Sequence, residues 1–159
     1  MDRPHHLGQP VTVAAATAAD LADWAALRQA LWPHLGLDEH TAEIVETLAD
    51  PINLANFIAR TEDGAAVGLA EAALRHDYVN GCQTSPVAFL EGIYVTPAYR
   101  RRGTAGKLVA AVEAWGRARG CSELASDAAL DNIASHRMHT ALGFAETQRV
   151  VYFRKALGP

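Results

Sequence analysis

Apolar positions in the first part of the chain change from the two-residue period of strands to the wider period of helices. A β-prone run covers Val11 to Ala16. Helical spacing then appears at Leu21, Trp24, Leu27 and Leu31. Thr17 or Asp20 can cap this helix, and Pro33 ends it. The pattern therefore predicts a strand followed by a helix.

A second helix and a hairpin are predicted next. Asp38 can cap the helix, and Asp50-Pro51 stops it. Its apolar stripe consists of Ile44, Val45 and Leu48. Two β-type runs, Phe57 to Arg60 and Val67 to Leu74, flank a Glu62-Asp63-Gly64 turn. Runs of this kind around a glycine turn predict a β-hairpin.

The middle of the chain predicts a strand and then a long helix. The Asn80-Gly81 turn and the Ser85-Pro86 break lead into a strand from about Val87 to Val95. From Thr104 the helical spacing returns, and Gly120 supplies its C-terminal end. The apolar positions of this helix are Leu108, Val109, Val112 and Trp115.

The last third predicts a strand, a helix and a closing strand or strand pair. Glu123 to Ser126 is the short strand, and Asp131 or Asn132 can cap the helix that follows. Gly143 ends this helix, and Phe144 to Phe153 is the closing β-type run. The buried helical positions are predicted to be Ile133, Met138 and Leu142. The mixture of elements predicts an α/β (α+β) protein.

Length and composition indicate one domain. The chain has 159 residues and 50% hydrophobic content, enough for one compact core. We expect this domain to span residues 11–159. Residues 1–10 carry two prolines, a glycine and the His5-His6 pair, and are predicted to be a flexible tail.

Charge and cysteine content narrow the class of partner. The net charge of −4 argues against nucleic acid and suits a cationic substrate. Cys82 and Cys121 lack metal-type spacing, and neither a signal peptide nor a long apolar span is evident. We therefore expect a reduced, cytoplasmic setting, no metal and no membrane partner.

The segment from Leu90 to Lys107 carries the clearest chemistry. A β-type run, a Thr96-Pro97 break and a basic turn with glycine precede a helix. The start of a helix presents unpaired N–H groups and partial positive charge, which suit a pyrophosphate. Gly103 lacks the Cβ that would hold a phosphate away, and Ala105 is small. The open alternative is a solvated basic turn that begins an ordinary surface helix.

Arg100-x-x-Gly103-x-Ala105 resembles the acetyl-CoA motif of the GCN5-related N-acetyltransferases. Asn132 and the later Ala141-Leu142-Gly143-Phe144 are similar to the second coenzyme segment of that family. The resemblance covers nearly the whole chain and implies a central mixed, twisted sheet flanked by helices, with acetyl-CoA as co-substrate. The coenzyme contacts it implies are Ile93, Tyr94, Val95, Arg100, Arg101, Arg102, Gly103, Thr104, Ala105, Gly106 and Asn132.

One position departs from the family pattern. Four residues before Gly143, many members have a tyrosine that protonates the departing thiolate, and this chain has His139. Histidine can donate a proton near neutral pH. The alternative is a helix-face histidine that hydrogen-bonds a neighbour.

Longer phrases are similar to the chromosomal type of aminoglycoside 6′-N-acetyltransferase. They are Leu31-Trp32-Pro33, His76 to Cys82, Phe89 to Ile93, Ala125-Ser126-Asp127 and Phe153-Arg154-Lys155. This resemblance implies acetylation of an aminoglycoside at its 6′ amine. It also implies a homodimer, with C-terminal strands exchanged as one arrangement.

The same resemblance implies the substrate site, namely Trp32, Tyr78, Glu91, Asp127 and Gln148. An aminoglycoside is a polycation, so carboxylates and hydrogen-bonding rings suit it. Because an amine attacks only when neutral, Glu91 or Asp127 is expected to assist deprotonation, directly or through water. Asp127 has helix capping as its alternative role. The family resemblance implies an oxyanion contact from the backbone between Ile93 and Val95.

Other functions stay open at this point. One is acetylation of another small polyamine or a peptide amine. A second, from another class, is a coenzyme A binding module without turnover. Glu91 and Asp127 argue against the module, because binding the coenzyme alone does not need them.

Overall fold

A computed structural model describes residues 9–159. Most of the predicted tail over residues 1–10 lies outside this part. The strands are β1 (Val11–Ala15), β2 (Leu54–Thr61), β3 (Ala66–Arg75), β4 (Val87–Val95) and β5 (Leu124–Ser126). The helices are α1 (Leu21–Leu31), α2 (Leu37–Leu48), α3 (Thr104–Ala118) and α4 (Ile133–Ala141). Short 3₁₀ turns cover Ala18–Asp20 and Pro97–Tyr99.

The strands form one five-stranded mixed sheet in the order β1-β2-β3-β4-β5. The first four strands pair antiparallel, and β5 pairs parallel to β4. The parallel pairing follows from the α3 crossover, which returns the chain to the same end of the sheet. This arrangement confirms the predicted α/β fold class.

Helices cover both faces of the sheet. On one face, Leu108, Val109 and Val112 of α3 are almost fully buried against the strands. On the other face, Trp24 and Leu27 of α1 pack with Ile44 of α2 and residues of β2 and β3. The predicted helical stripes of α1 and α3 therefore form the core, and β4 contacts both of these helices.

The predicted N-caps before α1 and α4 are found in the structure, and the predicted N-cap of α2 is not. Thr17 and Asp20 form a reciprocal capping box before α1, and Asn132 accepts a hydrogen bond from Ser135 N at 3.1 Å. The prediction of Asp38 as the α2 cap was wrong: Gly36 is the N-cap, and Asp38 lies in the first turn. An acidic residue is favourable there because it faces the positive helix end.

Two predicted core positions and the closing strand differ from expectation. Val45 is 57% exposed and Ile133 is 53% exposed. The buried residues of α2 are His40 and Ile44, and α4 has no buried residue. Residues 144–159, all within the described part, form neither helix nor strand. Phe144 is partly buried against the core, whereas five later apolar side chains are exposed: Val150, Val151, Tyr152, Phe153 and Leu157. A β-prone run becomes a strand only when a neighbouring edge pairs with it.

Candidate active site

The site begins where β4 and β5 stop pairing. Their last paired residues are Leu90 and Ser126. The next residue of β4, Glu91, is skipped in the pairing with β3, since Ala72 faces Leu90 and Glu71 faces Gly92. A bulge of this kind bends a strand and re-aims its side chain. We call this point, just beyond Leu90 and Ser126, the strand fork.

The two faces of the sheet carry different side chains at the strand fork. Ala125 packs with Phe89 on the α1 face, whereas Leu124 packs with the α3 cluster. Because side chains alternate along a strand, Ser126 lies on the α3 face. Asp127 follows one residue beyond the strand. Side chains on both faces of the sheet therefore lie at the strand fork.

Glu91 is held by an arginine on the neighbouring strand. Arg75 Nη2 donates to both carboxylate oxygens of Glu91, at 2.9 and 3.1 Å. The Arg75 guanidinium lies 3.6 Å from the centroid of the Phe89 ring. The Glu91 side chain remains 37% exposed. A cationic substrate that approaches Glu91 therefore meets a carboxylate already oriented by a charge-assisted hydrogen bond.

Trp32 lies against the strand directly beside the bulge. A β-carbon on Gly92 would lie 2.5 Å from Trp32 Cζ2, closer than real contacts allow. The indole thus occupies space that only a glycine leaves free. This places the predicted substrate residue Trp32 next to Glu91, on the α1 face of the sheet.

A buried polar network lies under Trp32. Arg28 Nη1 donates to Glu71 at 2.6 and 2.9 Å, and Trp24 Nε1 donates to the same carboxylate at 2.7 Å. Burial raises the pKa of the Glu71 carboxyl, and the Arg28 guanidinium opposes that rise. The α1–β3 contact therefore contains a carboxylate whose partners are all supplied by α1.

This network also fixes the backbone of Trp32. Arg28 Nε donates to His40 Nδ1 at 3.2 Å, so the proton of a neutral His40 ring lies on Nε2. His40 Nε2 is 3.1 Å from the carbonyl oxygen of Trp32, which can only accept. The sequence did not indicate this network. Its one visible sign was Glu71 inside the apolar run from Val67 to Leu74.

His139 meets the strand fork from the α3 face. Its Nε2 is 2.8 Å from Ser126 Oγ, and its Nδ1 is 2.7 Å from the carbonyl oxygen of Ser135. The Phe144 ring packs edge-on against the imidazole, with centroids 5.2 Å apart. Three neighbours therefore orient the His139 ring. The sequence alone did not identify these partners.

The loop between β4 and α3 is the segment predicted to bind the pyrophosphate. Arg101 and Gly103 both have positive φ, at 61° and 83°, which turns the chain sharply into α3. No atom lies within 4 Å of a β-carbon built on Gly103, so the surface beside this helix start is open. Thr104 is buried and offers its backbone rather than its side chain.

The basic side chains near this loop are partly engaged within the protein. Arg100 Nε donates to the Val95 carbonyl oxygen at 2.8 Å, and Lys107 Nζ donates to the Val11 carbonyl oxygen at 2.8 Å. Arg100 therefore fixes the end of β4 to the loop. An anion at this helix start is held first by backbone N–H groups.

A cleft of about 650 Å³ runs along β5 and α4. Its lining includes Ser126, Asp127, His139 and Gln148, but not Trp32, Tyr78 or Glu91. Tyr78 is 76% exposed. The described chain therefore brings Glu91 and Trp32 together on one face, and Asp127, Gln148 and His139 along the cleft.

The bulged β4, the strand fork and the glycine turn before α3 agree with the match of residues 20–144 to the acetyltransferase (GNAT) family. The chain belongs to this family. The match covers most of the chain and confirms the family resemblance drawn from the Arg100 motif.

Similar proteins share both sequence and fold. An aminoglycoside N(6′)-acetyltransferase type 1 of Serratia marcescens is 58% identical over 85% of this chain and 92% of that protein. One of Stenotrophomonas maltophilia is 51% identical over 93% of this chain and 95% of that protein.

Two solved structures are also similar to this chain in sequence and fold. The crystal structure of an aminoglycoside antibiotic 6′-N-acetyltransferase from Acinetobacter baumannii has a TM-score of 0.89 and 48% identity, covering 94% of this chain and 100% of that one. A structure of AAC(6′)-Iy with a bisubstrate analogue, CoA-S-monomethyl-acetylneamine, has a TM-score of 0.87 and 47% identity. It covers 92% of this chain and 99% of that chain.

The described residues hold neither a metal cluster nor an activated thiol. Among residues 9–159, no group of three or more His, Cys, Asp or Glu residues is arranged to hold a metal. Cys82 and Cys121 are free thiols, and burial raises the pKa of each. A raised pKa disfavours the thiolate, which is the nucleophilic form. None of the described helices is long and apolar enough to cross a membrane.

Proposed function

We propose that this protein transfers the acetyl group of acetyl-CoA to the 6′ amine of aminoglycosides. The observation that carries the proposal is the strand fork. Glu91, the carboxylate predicted to bind the substrate, lies on one side of it, and Ser126 and His139 lie on the other. The relatives named above, whose names state this reaction, support the same substrate class.

The coenzyme side of the site is formed by the end of β4 and the start of α3. Backbone N–H groups of residues 101–106 would bind the pyrophosphate, because they lie at a positive helix start with an open glycine. The pantetheine arm would pass between β4 and β5, where the strands no longer pair. Asn132, which caps α4, is the predicted contact on the opposite side of that arm.

The substrate side carries carboxylates and aromatic rings. Glu91 and Asp127 would attract the cationic drug, and the Trp32 ring would pack on a sugar ring beside Glu91. Tyr78 and Gln148 complete the predicted set. Gln148 is neutral and therefore adds a hydrogen bond without adding charge.

The reaction requires a neutral amine, a stabilised oxyanion and a proton for the leaving thiolate. Glu91 or Asp127 would accept the amine proton, directly or through one water. The backbone N–H groups from Ile93 to Val95 would bind the oxyanion. His139 would supply the proton. Direct attack in a ternary complex is favoured over an acyl-cysteine, because both thiols are disfavoured as thiolates.

Regiochemistry tests this proposal. Two aminoglycosides that differ only in an amine or a hydroxyl at 6′ are incubated with acetyl-CoA, and the products are assigned by NMR. The amine should react much faster and be acetylated at 6′, because a hydroxyl is the weaker nucleophile. Acetylation mainly at another position, or equal rates for the two drugs, would reject the 6′ assignment.

We also propose a cytoplasmic homodimer in which C-terminal segments are exchanged. Two complementary features support it: β5 is an edge strand of the sheet, and residues 150–153 expose apolar, β-prone side chains. An unpaired edge and an unpaired strand-forming segment satisfy each other when two copies meet. Phe153→Asp should convert the dimer to monomer in light scattering. An unchanged mass for this variant, with native circular dichroism, would contradict the exchange.

A further inference from the structure

Ser126 and His139 form a hydrogen-bonded pair whose direction depends on the charge of the imidazole. His139 Nδ1 lies 2.7 Å from the carbonyl oxygen of Ser135, which can only accept, and 3.3 Å from Ser135 Oγ. The shorter of these two contacts assigns a proton to Nδ1 in either charge state. In the neutral ring, Nε2 accepts from the Ser126 hydroxyl at 2.8 Å. In the cationic ring, Nε2 donates to Ser126 Oγ, and the hydroxyl proton is free to turn elsewhere.

An alternative acceptor for that proton already exists. Ser126 Oγ lies 3.2 Å from the Leu90 carbonyl oxygen, within donating distance. Leu90 and Ser126 are the last paired residues before the strand fork. The hydroxyl therefore has two resting partners and lies at the point where β4 and β5 separate.

We propose that Ser126 and His139 act as a two-step proton relay, with the Ser126 hydroxyl as the terminal donor to the coenzyme thiolate. This proposal rests on the acetyl transfer described above. As the carbon–sulfur bond breaks, the hydroxyl proton passes to sulfur and the His139 Nε2 proton passes to Ser126 Oγ. The amine proton goes to the separate base, so charge and protons balance. His139 is left neutral and regains its proton from solvent.

Charged and titratable side chains line the same cleft as His139. They lie on α3 and α4, on either side of β5, in the loop before β4 and in the C-terminal segment: Cys82, Glu113, Glu123, Asp127, His136, Glu146, Arg149 and Tyr152. Four of these are carboxylates. Three of the carboxylates are engaged elsewhere: Glu113 pairs with Arg117, Glu123 accepts from the backbone N–H groups of residues 83 and 84, and Glu146 pairs with Arg149.

The relay predicts a kinetic pattern that a structural hydroxyl would not produce. Single-turnover acetyl transfer is measured against pH for the wild type, Ser126→Ala, His139→Gln and the double variant. General acid catalysis is worth about 10²–10⁴-fold, but a thiolate leaves readily, so we expect a loss of about tenfold for either single variant. The double variant should lose no more than a single one, because both residues act on one proton. The wild-type rate should fall at high pH, and Ser126→Ala should lack that fall.

Two control variants isolate the hydroxyl at position 126. Ser122→Ala removes an exposed hydroxyl just before the same strand and should match the wild type. Ser126→Thr keeps the hydroxyl and should retain most of the rate. Ser126→Thr also keeps the proposal testable if Ser126→Ala fails to fold, because it retains the hydroxyl donor in a side chain of different volume.

A spectroscopic readout is independent of turnover. Side-chain ¹⁵N NMR of His139 should show Nδ1 protonated in both the wild type and Ser126→Ala. The Nε2 signal of Ser126→Ala should differ from that of the wild type, because its hydrogen-bond partner is gone. The relay is overturned if Ser126→Ala has the rate and pH profile of Ser122→Ala. It is also overturned if the rate loss of the double variant equals the product of the losses of the two single variants. If the proposed aminoglycoside substrate is wrong, the wild type will instead acetylate another amine. The same set of variants can then be tested for the relay with that amine.

Discussion

The Trp32 indole occupies the space in which a side chain at Gly92 would begin. The nearest ring carbons, Cζ2 and Cη2, lie 2.5 and 2.6 Å from the position of a Gly92 β-carbon. Gly92 follows the bulge residue Glu91, so this contact lies beside the carboxylate that is predicted to bind the substrate. We therefore expect substrate recognition on this face to depend on the absence of a side chain at Gly92.

Gly92→Ala should displace the indole and raise the KM for aminoglycosides about tenfold, since overpacking costs about 1–3 kcal/mol. Coenzyme affinity should not change. Trp32→Ala in the same background should remove the effect of Gly92→Ala, which a double-mutant cycle measures. Gly36→Ala is the control, because a β-carbon there makes only an ordinary contact with Glu39. Additive effects of the two substitutions would contradict the assignment.

Gly103→Val should weaken acetyl-CoA binding by about tenfold or more, because it constrains the loop that presents the N–H groups. Gly120→Val is a matched control at the other end of α3. The two glycines have φ of 83° and 82°, and neither has a neighbour within 4 Å of an added β-carbon. Backbone strain of about 1–2 kcal/mol should be similar in the two variants. Calorimetric titration should show a loss of affinity only at position 103; equal affinity in both folded variants would reject pyrophosphate binding at this loop.

Glu91→Gln and Asp127→Asn separate binding from catalysis. If one of these residues is the base, its amide variant should lose kcat, most strongly at low pH where the amine is protonated. A residue that only binds the drug should raise KM and leave kcat unchanged. We expect at least one variant to lose kcat in thiol-release assays. An effect on KM alone in both variants would place the base elsewhere.

Asp20 provides a test of stability against pH. The backbone N–H of Thr17 donates to its carboxylate at 2.8 Å, and this bond, with the Arg60 ion pair, lowers the pKa of Asp20. A lowered carboxyl pKa contributes stability above its unfolded value, and that contribution is lost as pH falls through the folded value. Asp20→Asn should cost about 1 kcal/mol at pH 7. Denaturant titrations should show this difference shrinking below about pH 4. A difference independent of pH would contradict the assignment.

The element order of most of this chain follows from its sequence. The buried stripe of α3, the strand Val87–Val95 and the left-handed Gly143 all lie where local pattern and turn chemistry indicate. The closing strand was mispredicted from the run Phe144 to Phe153. Its residues favour extended backbone, but β pairing needs a second strand edge, and local sequence does not specify one.

The sequence by itself determined the family, the fold class and the glycine turn before α3, because these depend on local pattern and on motif spacing. The tertiary structure alone decided what meets at the strand fork. The bulge at Glu91 shows only in the register of β4 against β3, and the Ser126–His139 pair joins residues of different elements across 2.8 Å. Such contacts arise from packing between elements that are distant along the chain, so no local pattern encodes them.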